Sequence, residues 1–172
     1  VGRNGVVTIK DGNKPVVEVE YKEGLEFDSG FMSNVMINNA DEMNVKFEDT
    51  NGKNSPYIIF VNDEINNDRL ITLLEIVYRT DQQAKVLFVA NDVDNFAMAS
   101  IVVNRVRGNK QIATVKAPDF GDHRNNLLMD MAIITGGKVI GGPSGLPFEN
   151  VTIDDFGRAE RIIVDKDKTI IA

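Results

Sequence analysis

The chain has 172 residues, 42% of them hydrophobic, a formal net charge of −7 and no cysteine. This predicts one soluble globular domain with a real core, and it argues against a nucleic-acid backbone as main partner, because that contact depends on clustered Lys and Arg. Disulfides, thiolate nucleophiles and Cys-ligated metals are excluded, and no apolar run reaches the length of a membrane span.

The N-terminal third predicts short strands separated by polar turns. Apolar runs at 6–9 and 16–19 flank an Asp-Gly turn, which indicates a hairpin. Residues 27–36 and 45–47 are also strand-like. The run at 57–61 is continuously apolar, which is typical of a buried strand.

The middle of the chain alternates helices with strands. The patterns predict helices at 67–79, with its N-cap near Asn67, 94–107 and 125–134. They predict strands at 85–90, 112–115 and 138–140, and a terminal hairpin of 160–164 with 169–172. This order is typical of an α/β core, and the strands at the two ends of the chain indicate a second sheet.

The residues favour no catalytic or phosphate site. Gly136 and Gly137 follow a helix and precede a strand, the reverse of the order that a phosphate-binding turn needs. His123 is the only histidine and is interpreted as a loop or helix-start residue. Most carboxylates occur in predicted turns, where capping explains them, and the short basic stretch with Arg105, Arg107 and Lys110 is interpreted as a solvated helix end.

The first two helices carry more apolar residues than docking on one core requires, since an arc of about 100° suffices. In the first, six apolar residues cover about 220°. They are Leu70, Ile71, Leu73, Leu74, Ile76 and Val77. In the second, six cover about 240°. They are Ala97, Met98, Ile101, Val102, Val103 and Val106.

Two interpretations of this excess remain open. Both helices can be covered on two sides, as in many layered α/β proteins. Alternatively, an exposed apolar groove lies between them, which is typical of a protein-binding surface.

The order of motifs resembles the group I (GroEL-like) chaperonins over essentially the whole chain. Residues 1–9 (VGRNGVVTI) are similar to the family's VGKxGVITV segment, and 23–33 (EGLEFDSGFMS) to its EGMxFDRGYLSP segment. VKAPDFGD at 115–122 and ITGG at 134–137 agree as well, as do DV at 92–93, VVN at 102–104, RG at 107–108, ENVT at 149–152 and GRA at 157–159.

The resemblance implies an apical domain, a three-layer β/β/α unit that binds unfolded polypeptides. Residues 1–22 would lead in from an intermediate domain, and 23–172 would form the apical domain without its final helices. The implied partners are unfolded polypeptides, a 10 kDa-type co-chaperonin and, for the intact protein, a double-ring homo-oligomer, whereas the fragment alone is expected to be monomeric. The implied compartment is the bacterial cytoplasm, the mitochondrial matrix or a plastid.

The resemblance also implies the residues that bind polypeptide and co-chaperonin. They are Phe31, Val35, Met36, Ile71, Leu74, Met98, Val102, Val103 and Asn104. Gly24 matches the family's hinge glycine. The family's usual residues are Tyr, Tyr and Phe at positions 31, 35 and 36, Arg at 29 and Gly at 119, so the resemblance implies a divergent member whose binding groove would have less aromatic character.

No ATPase activity is expected from these residues, because the family's ATP and Mg²⁺ site lies in an equatorial domain whose DGTTT motif this chain lacks. The expected function is therefore a chaperone module that is not itself an enzyme. Two other hypotheses stay open. One is a small-molecule or nucleotide-binding α/β enzyme domain with a site at the strand C-termini, and the other is a scaffolding domain whose apolar helices are buried.

Overall fold

The residues that the structure describes form two β-sheets and three α-helices in a mixed α/β structure. The computed structural model describes residues 6–9, 19–20, 24–49, 52 and 54–172, with 6–9 and 19–20 described by their backbone alone. The strands are β1 (Val6–Ile9), β2 (Val19–Glu20), β3 (Gly24–Phe27), β4 (Val45–Glu48), β5 (Tyr57–Ile65), β6 (Lys85–Val93), β7 (Gln111–Lys116), β8 (Val139–Ile140), β9 (Gly157–Arg158), β10 (Arg161–Val164) and β11 (Thr169–Ile171). The helices are α1 (Asn67–Thr80), α2 (Asn95–Val106) and α3 (Gly121–Thr135).

The middle of the chain forms a parallel sheet with the order β7-β6-β5-β8, and β9 pairs antiparallel with β5. Helices α1, α2 and α3 connect its successive parallel strands, as crossover connections require. The cores of β5 and β6 are buried as continuous apolar runs, as the sequence predicts for strands that are covered on both faces.

Strands from the two ends of the chain form the second sheet, with the order β2-β1-β3-β11-β10-β4. The predicted terminal hairpin is confirmed, since β10 and β11 pair antiparallel around 165–168. The predicted N-terminal hairpin is found as an antiparallel β1–β2 pair, whereas its turn lies outside the described residues. Because β1 also pairs with β3, it belongs to the same sheet as residues after position 23.

The helix ends follow the local chemistry of the sequence. The Asn66 side chain caps α1 and the Asp94 side chain caps α2, each accepting a backbone N–H three residues on. Gly136 ends α3 in the left-handed conformation with φ 81°, which a residue without a Cβ adopts at little cost. The interpretation of Gly136 as a helix-ending glycine is confirmed.

Two predicted elements depart clearly from the structure. Residues 28–36 are not strand: a short 3₁₀-helix occupies Asn34–Met36, and Phe31 and Met32 donate their N–H groups to Asp165 and Thr114. Helix α3 begins at Gly121, four residues before its predicted start at 125. The sequence did not indicate these residues as helix because the first turn is polar and resembles a loop.

A membrane-crossing helix would need a long apolar stretch, and none of the described helices has one.

Candidate functional site

Helices α1 and α2 lie side by side, and polar contacts join them directly and through the residues that follow them. The Ser100 hydroxyl donates to the Asn67 side chain at one end. At the other end the Lys110 ammonium donates to the Gln82 carbonyl at 2.7 Å and lies 4.6 Å from the centre of the Tyr78 ring. Burial raises the pKa of Tyr78 to about 12. These contacts fix the spacing of the two helices.

Helix α1 directs most of its apolar residues into the core. The residues Leu70, Leu73, Leu74 and Val77 are buried. Leu74 is only 6% exposed, so this predicted contact residue offers a partner little surface. Ile71 is 44% exposed and is the accessible apolar residue of this helix.

Helix α2 buries only Ala97 and Ile101. Val103 is 52% exposed and Phe96 79%, and Val106 is also largely exposed. With 100° per residue, these three side chains fall within about 80° of one another, on roughly the opposite side of the helix from the buried pair. Together with Ile71 they form what we call the apolar helix surface.

The predicted residues Met98 and Val102 lie at the edge of this surface. Both are partly buried, and Met98 packs against the core. Asn104 is also partly buried, and its side-chain amide donates to the Ser100 carbonyl at 2.7 Å.

Arg105 fastens the segment that precedes β4 to α2. Its guanidinium donates from Nε to the Val35 carbonyl at 2.9 Å, from Nη2 to Ile37 at 3.4 Å and from Nη1 to Lys110 at 3.3 Å. Burial lowers the pKa of the Arg105 guanidinium. Arg105 lies in the last turn of α2, as the sequence predicts, but its side chain is partly buried and bonds to three carbonyl groups.

The predicted contact residue Met36 does not lie on the surface. Its side chain is fully buried, and its sulfur accepts from the Thr114 backbone N–H at 3.2 Å and from the Thr114 hydroxyl at 3.6 Å. Thr114 is itself buried in β7. Met36 therefore anchors the segment on the edge strand of the parallel sheet, while its neighbour Val35 stays exposed.

Phe31 lies apart from the two helices. It bridges Val115 of β7 and lines a separate pocket of about 710 Å³ together with residues near the 165–167 turn. Gly24, the predicted hinge, begins β3, where a Cβ would collide with the Ile171 carbonyl oxygen. The close backbone contact explains a glycine at this position, and its role as a hinge stays a prediction.

The roles of two residues in this region were not predicted from the sequence. Phe96 was overlooked although its spacing of seven and ten residues from Val103 and Val106 puts all three on one face. The role of Arg105 depends on carbonyl groups about 70 residues earlier in the chain, which no local pattern indicates.

The crevice that an α/β enzyme would use is filled. The strand order reverses between β5 and β8, which is where ligands usually bind to such sheets. Here a Cβ on Gly141 would lie 3.3 Å from the Asp63 Cβ, and a Cβ on Gly142 would lie 2.6 Å from the Asn62 amide nitrogen. The 141–142 turn thus packs directly on the ends of β5 and leaves little room for a ligand.

The remaining polar candidates have structural explanations. His123 lies on the first turn of α3, with Nδ1 3.1 Å from the Asp119 carboxylate, and its ring is exposed. Among the residues that the structure describes, no three His, Asp or Glu side chains converge as metal ligands.

No protein-family model matches the sequence.

Proposed function

We propose that this chain binds non-native polypeptide through the apolar helix surface, as its resemblance to chaperonin apical domains implies. The observation that carries the proposal is the second face of α2, where Phe96, Val103 and Val106 are exposed on one side of the helix. Nothing in the described residues covers that face. An exposed apolar helical stripe beside a second helix suits an amphipathic or extended apolar segment.

The chemistry of this surface favours weak and sequence-tolerant binding. A fully buried Val, Ile or Phe contributes roughly 1.5–3 kcal/mol, and each of these side chains has only part of its area left to bury. Ordering the partner offsets much of the gain. Such a surface would hold a client firmly only where several copies act together, as in the double ring that the resemblance implies.

Polar groups around the surface supply orientation. The amide of Asn104 bonds to the Ser100 carbonyl within α2, and the segment 34–37 is held at the C-terminal end of α2 by Arg105. Val35, on that segment, is exposed and in this proposal would add an apolar contact at this end of α2. In this proposal a 10 kDa-type co-chaperonin would compete for the same surface, and ATP with Mg²⁺ would act elsewhere in the intact protein.

The proposal is tested by anisotropy with a short fluorescein-labelled peptide carrying Leu and Phe at i, i+3 and i+4 spacing. We expect Val103→Glu to weaken binding about tenfold or more, because the substitution puts an unpaired charge in the apolar contact. The matched control is Ile133→Glu, which changes an exposed Ile on α3. All three proteins should melt at nearly the same temperature, because both sites are exposed.

Equal peptide affinity for the wild type and Val103→Glu would overturn the proposal, as would an equal loss in the Ile133→Glu control. An unfolded Val103→Glu variant would show that α2 is covered on both sides, which is the scaffolding hypothesis. Competition by a dinucleotide or nucleoside triphosphate for the peptide would instead favour the small-molecule hypothesis.

A further inference from the structure

A second concave apolar surface lies between the C-terminal half of α3 and the 141–147 loop. Its volume is about 400 Å³, within the roughly 300–1,000 Å³ that is usual for small-molecule sites. The apolar side chains that line it are Met129, Ala132, Ile133, Val139, Leu146 and Pro147. Ile133 is 72% exposed, so the rim of the pocket is open to solvent.

Backbone hydrogen bonds and close contacts hold the walls of this pocket. The Leu146 N–H donates to the Val139 carbonyl at 2.9 Å, and the Gly141 N–H donates to the Leu146 carbonyl at 2.8 Å. A Cβ on Gly145 would collide with the Gly141 carbonyl oxygen, so the backbones of residues 141 and 145 are in close contact. The pocket is therefore formed before any ligand arrives, which lowers the entropy cost of binding.

Two polar side chains line the pocket, and both can donate hydrogen bonds to an anion. Lys138 is the one charged residue among the described residues that line it. Ser144 accepts a hydrogen bond from the Asn125 amide at 3.2 Å, which leaves its own hydroxyl hydrogen free to donate.

The charge of Lys138 is only partly compensated. Its ammonium lies 3.5 Å from Asp155, and its side chain is largely exposed. The same carboxylate already accepts from the Thr152 backbone N–H at 2.8 Å and from the Thr152 hydroxyl at 3.3 Å. An ammonium has three donors, so Lys138 keeps donors for a second acceptor.

We propose that this pocket binds a small apolar carboxylate, with the hydrocarbon part on Ile133 and Leu146 and the carboxylate on Lys138 and Ser144. The apolar lining selects the hydrocarbon part, and the lysine selects an acid over an alcohol or amine of the same length. This site shares no residue with the apolar helix surface, so the inference does not depend on the polypeptide-binding proposal.

The test is a titration of the ¹⁵N-labelled chain with octanoate, with octanol and octylamine as isosteric probes, followed by amide shifts in NMR spectra. We expect saturable shifts from octanoate at 129–133, 138–139 and 144–146, and weaker binding of the other two probes. Lys138→Gln should weaken octanoate about threefold or more while leaving octanol unchanged. Lys116→Gln, at an exposed lysine on β7, is the matched control.

Ile133→Ser should weaken both octanoate and octanol about fivefold, because it removes apolar contact without disturbing the core. Val103→Ser should leave octanoate binding unchanged. The inference is overturned if octanoate shows no saturable shifts or if its shifts map to α1 and α2. It is also overturned if Lys138→Gln and Lys116→Gln bind octanoate as the wild type does.

Discussion

Helices α1 and α2 have similar apolar content in sequence and different positions in the fold. Helix α1 buries four apolar residues and exposes Ile71, whereas α2 buries only Ala97 and Ile101 and exposes three large apolar residues. Helix α2 packs on the edge strand β7 and on residues 34–36, while α1 contacts α2 and residues 153–155. An apolar face next to a sheet edge has less core to cover it, and here it remains available to a partner.

The largest expected effect is a difference in unfolding free energy between a substitution on α1 and one on α2. Leu74→Ala on α1 should lower the free energy of unfolding by about 2–5 kcal/mol, because it leaves a cavity under a side chain that is almost fully buried. Val103→Ala on α2 should cost less than about 1 kcal/mol. Urea denaturation followed by circular dichroism measures both.

If Leu74→Ala and Val103→Ala lose similar amounts of unfolding free energy, α2 is as deeply packed as α1 and the difference between the two helices does not hold. Ile71→Ala is the internal control on α1, and we expect it to behave like the α2 variant.

The next effect concerns the segment that Arg105 attaches to α2. Arg105→Ala should cost roughly 1–3 kcal/mol, because three carbonyl groups lose a charged donor. Peptide affinity should fall severalfold as Val35 loses its fixed position. Arg105→Lys should rescue little of this, since a lysine cannot reproduce the three-pronged geometry.

Arg107→Ala serves as the control, because Arg107 is exposed at the same helix end. If both alanine variants bind peptide equally well, Arg105 has no positioning role. Restoration of binding by Arg105→Lys would show that charge alone matters.

Local patterns predicted most of the fold. The buried strands, the three helices and the terminal hairpin follow from apolar periodicity and from Gly136 as a helix end, whereas the capping residues Asn66 and Asp94 were not predicted as such. The N-cap of α1 lies one residue before its predicted position. The start of α3 was misplaced because its polar first turn gives no apolar period.

The candidate site was predicted less completely, since exposure depends on tertiary packing. Apolar periodicity could not show that Met36 is buried against Thr114 while Val35 is exposed, because both depend on the position of β7. Asp119 illustrates the same limit at the backbone. Its φ of 63° lies in the left-handed region that glycine prefers, and a hydrogen bond of 2.9 Å from the Phe120 N–H to its side chain supports an aspartate there.

A smaller effect is expected at the junction of the two helices at alkaline pH. The Tyr78 hydroxyl is buried without a hydrogen-bond partner among the described residues, and burial raises its pKa from 10.0 to about 12. Between pH 10 and pH 12 the Tyr78 hydroxyl is therefore deprotonated in the unfolded chain but still protonated in the folded chain. Stability should therefore be unaffected below about pH 10 and should fall as pH rises toward 12.

Tyr78→Phe should remove that part of the alkaline decline and should be as stable as the wild type, or slightly more so, at pH 8. Urea unfolding at pH 8 and pH 11 measures the difference between the two proteins. Parallel declines in both proteins would show that Tyr78 is solvated, and the packing between the ends of α1 and α2 would then be looser than the contact with Lys110 indicates.

The smallest effect tests how far the exposed face of α2 extends toward its N-terminus. Phe96→Ser should change the free energy of unfolding by no more than about 0.5 kcal/mol, because the ring is 79% exposed. Peptide affinity should fall about two- to threefold if the client lies along the whole stripe from Phe96 to Val106, since one aromatic contact is lost while the others remain. A loss of stability near that of Leu74→Ala would place Phe96 in a core contact. Unchanged affinity beside a clear loss in Val103→Glu would confine the client to the C-terminal half of α2, next to the segment that Arg105 holds.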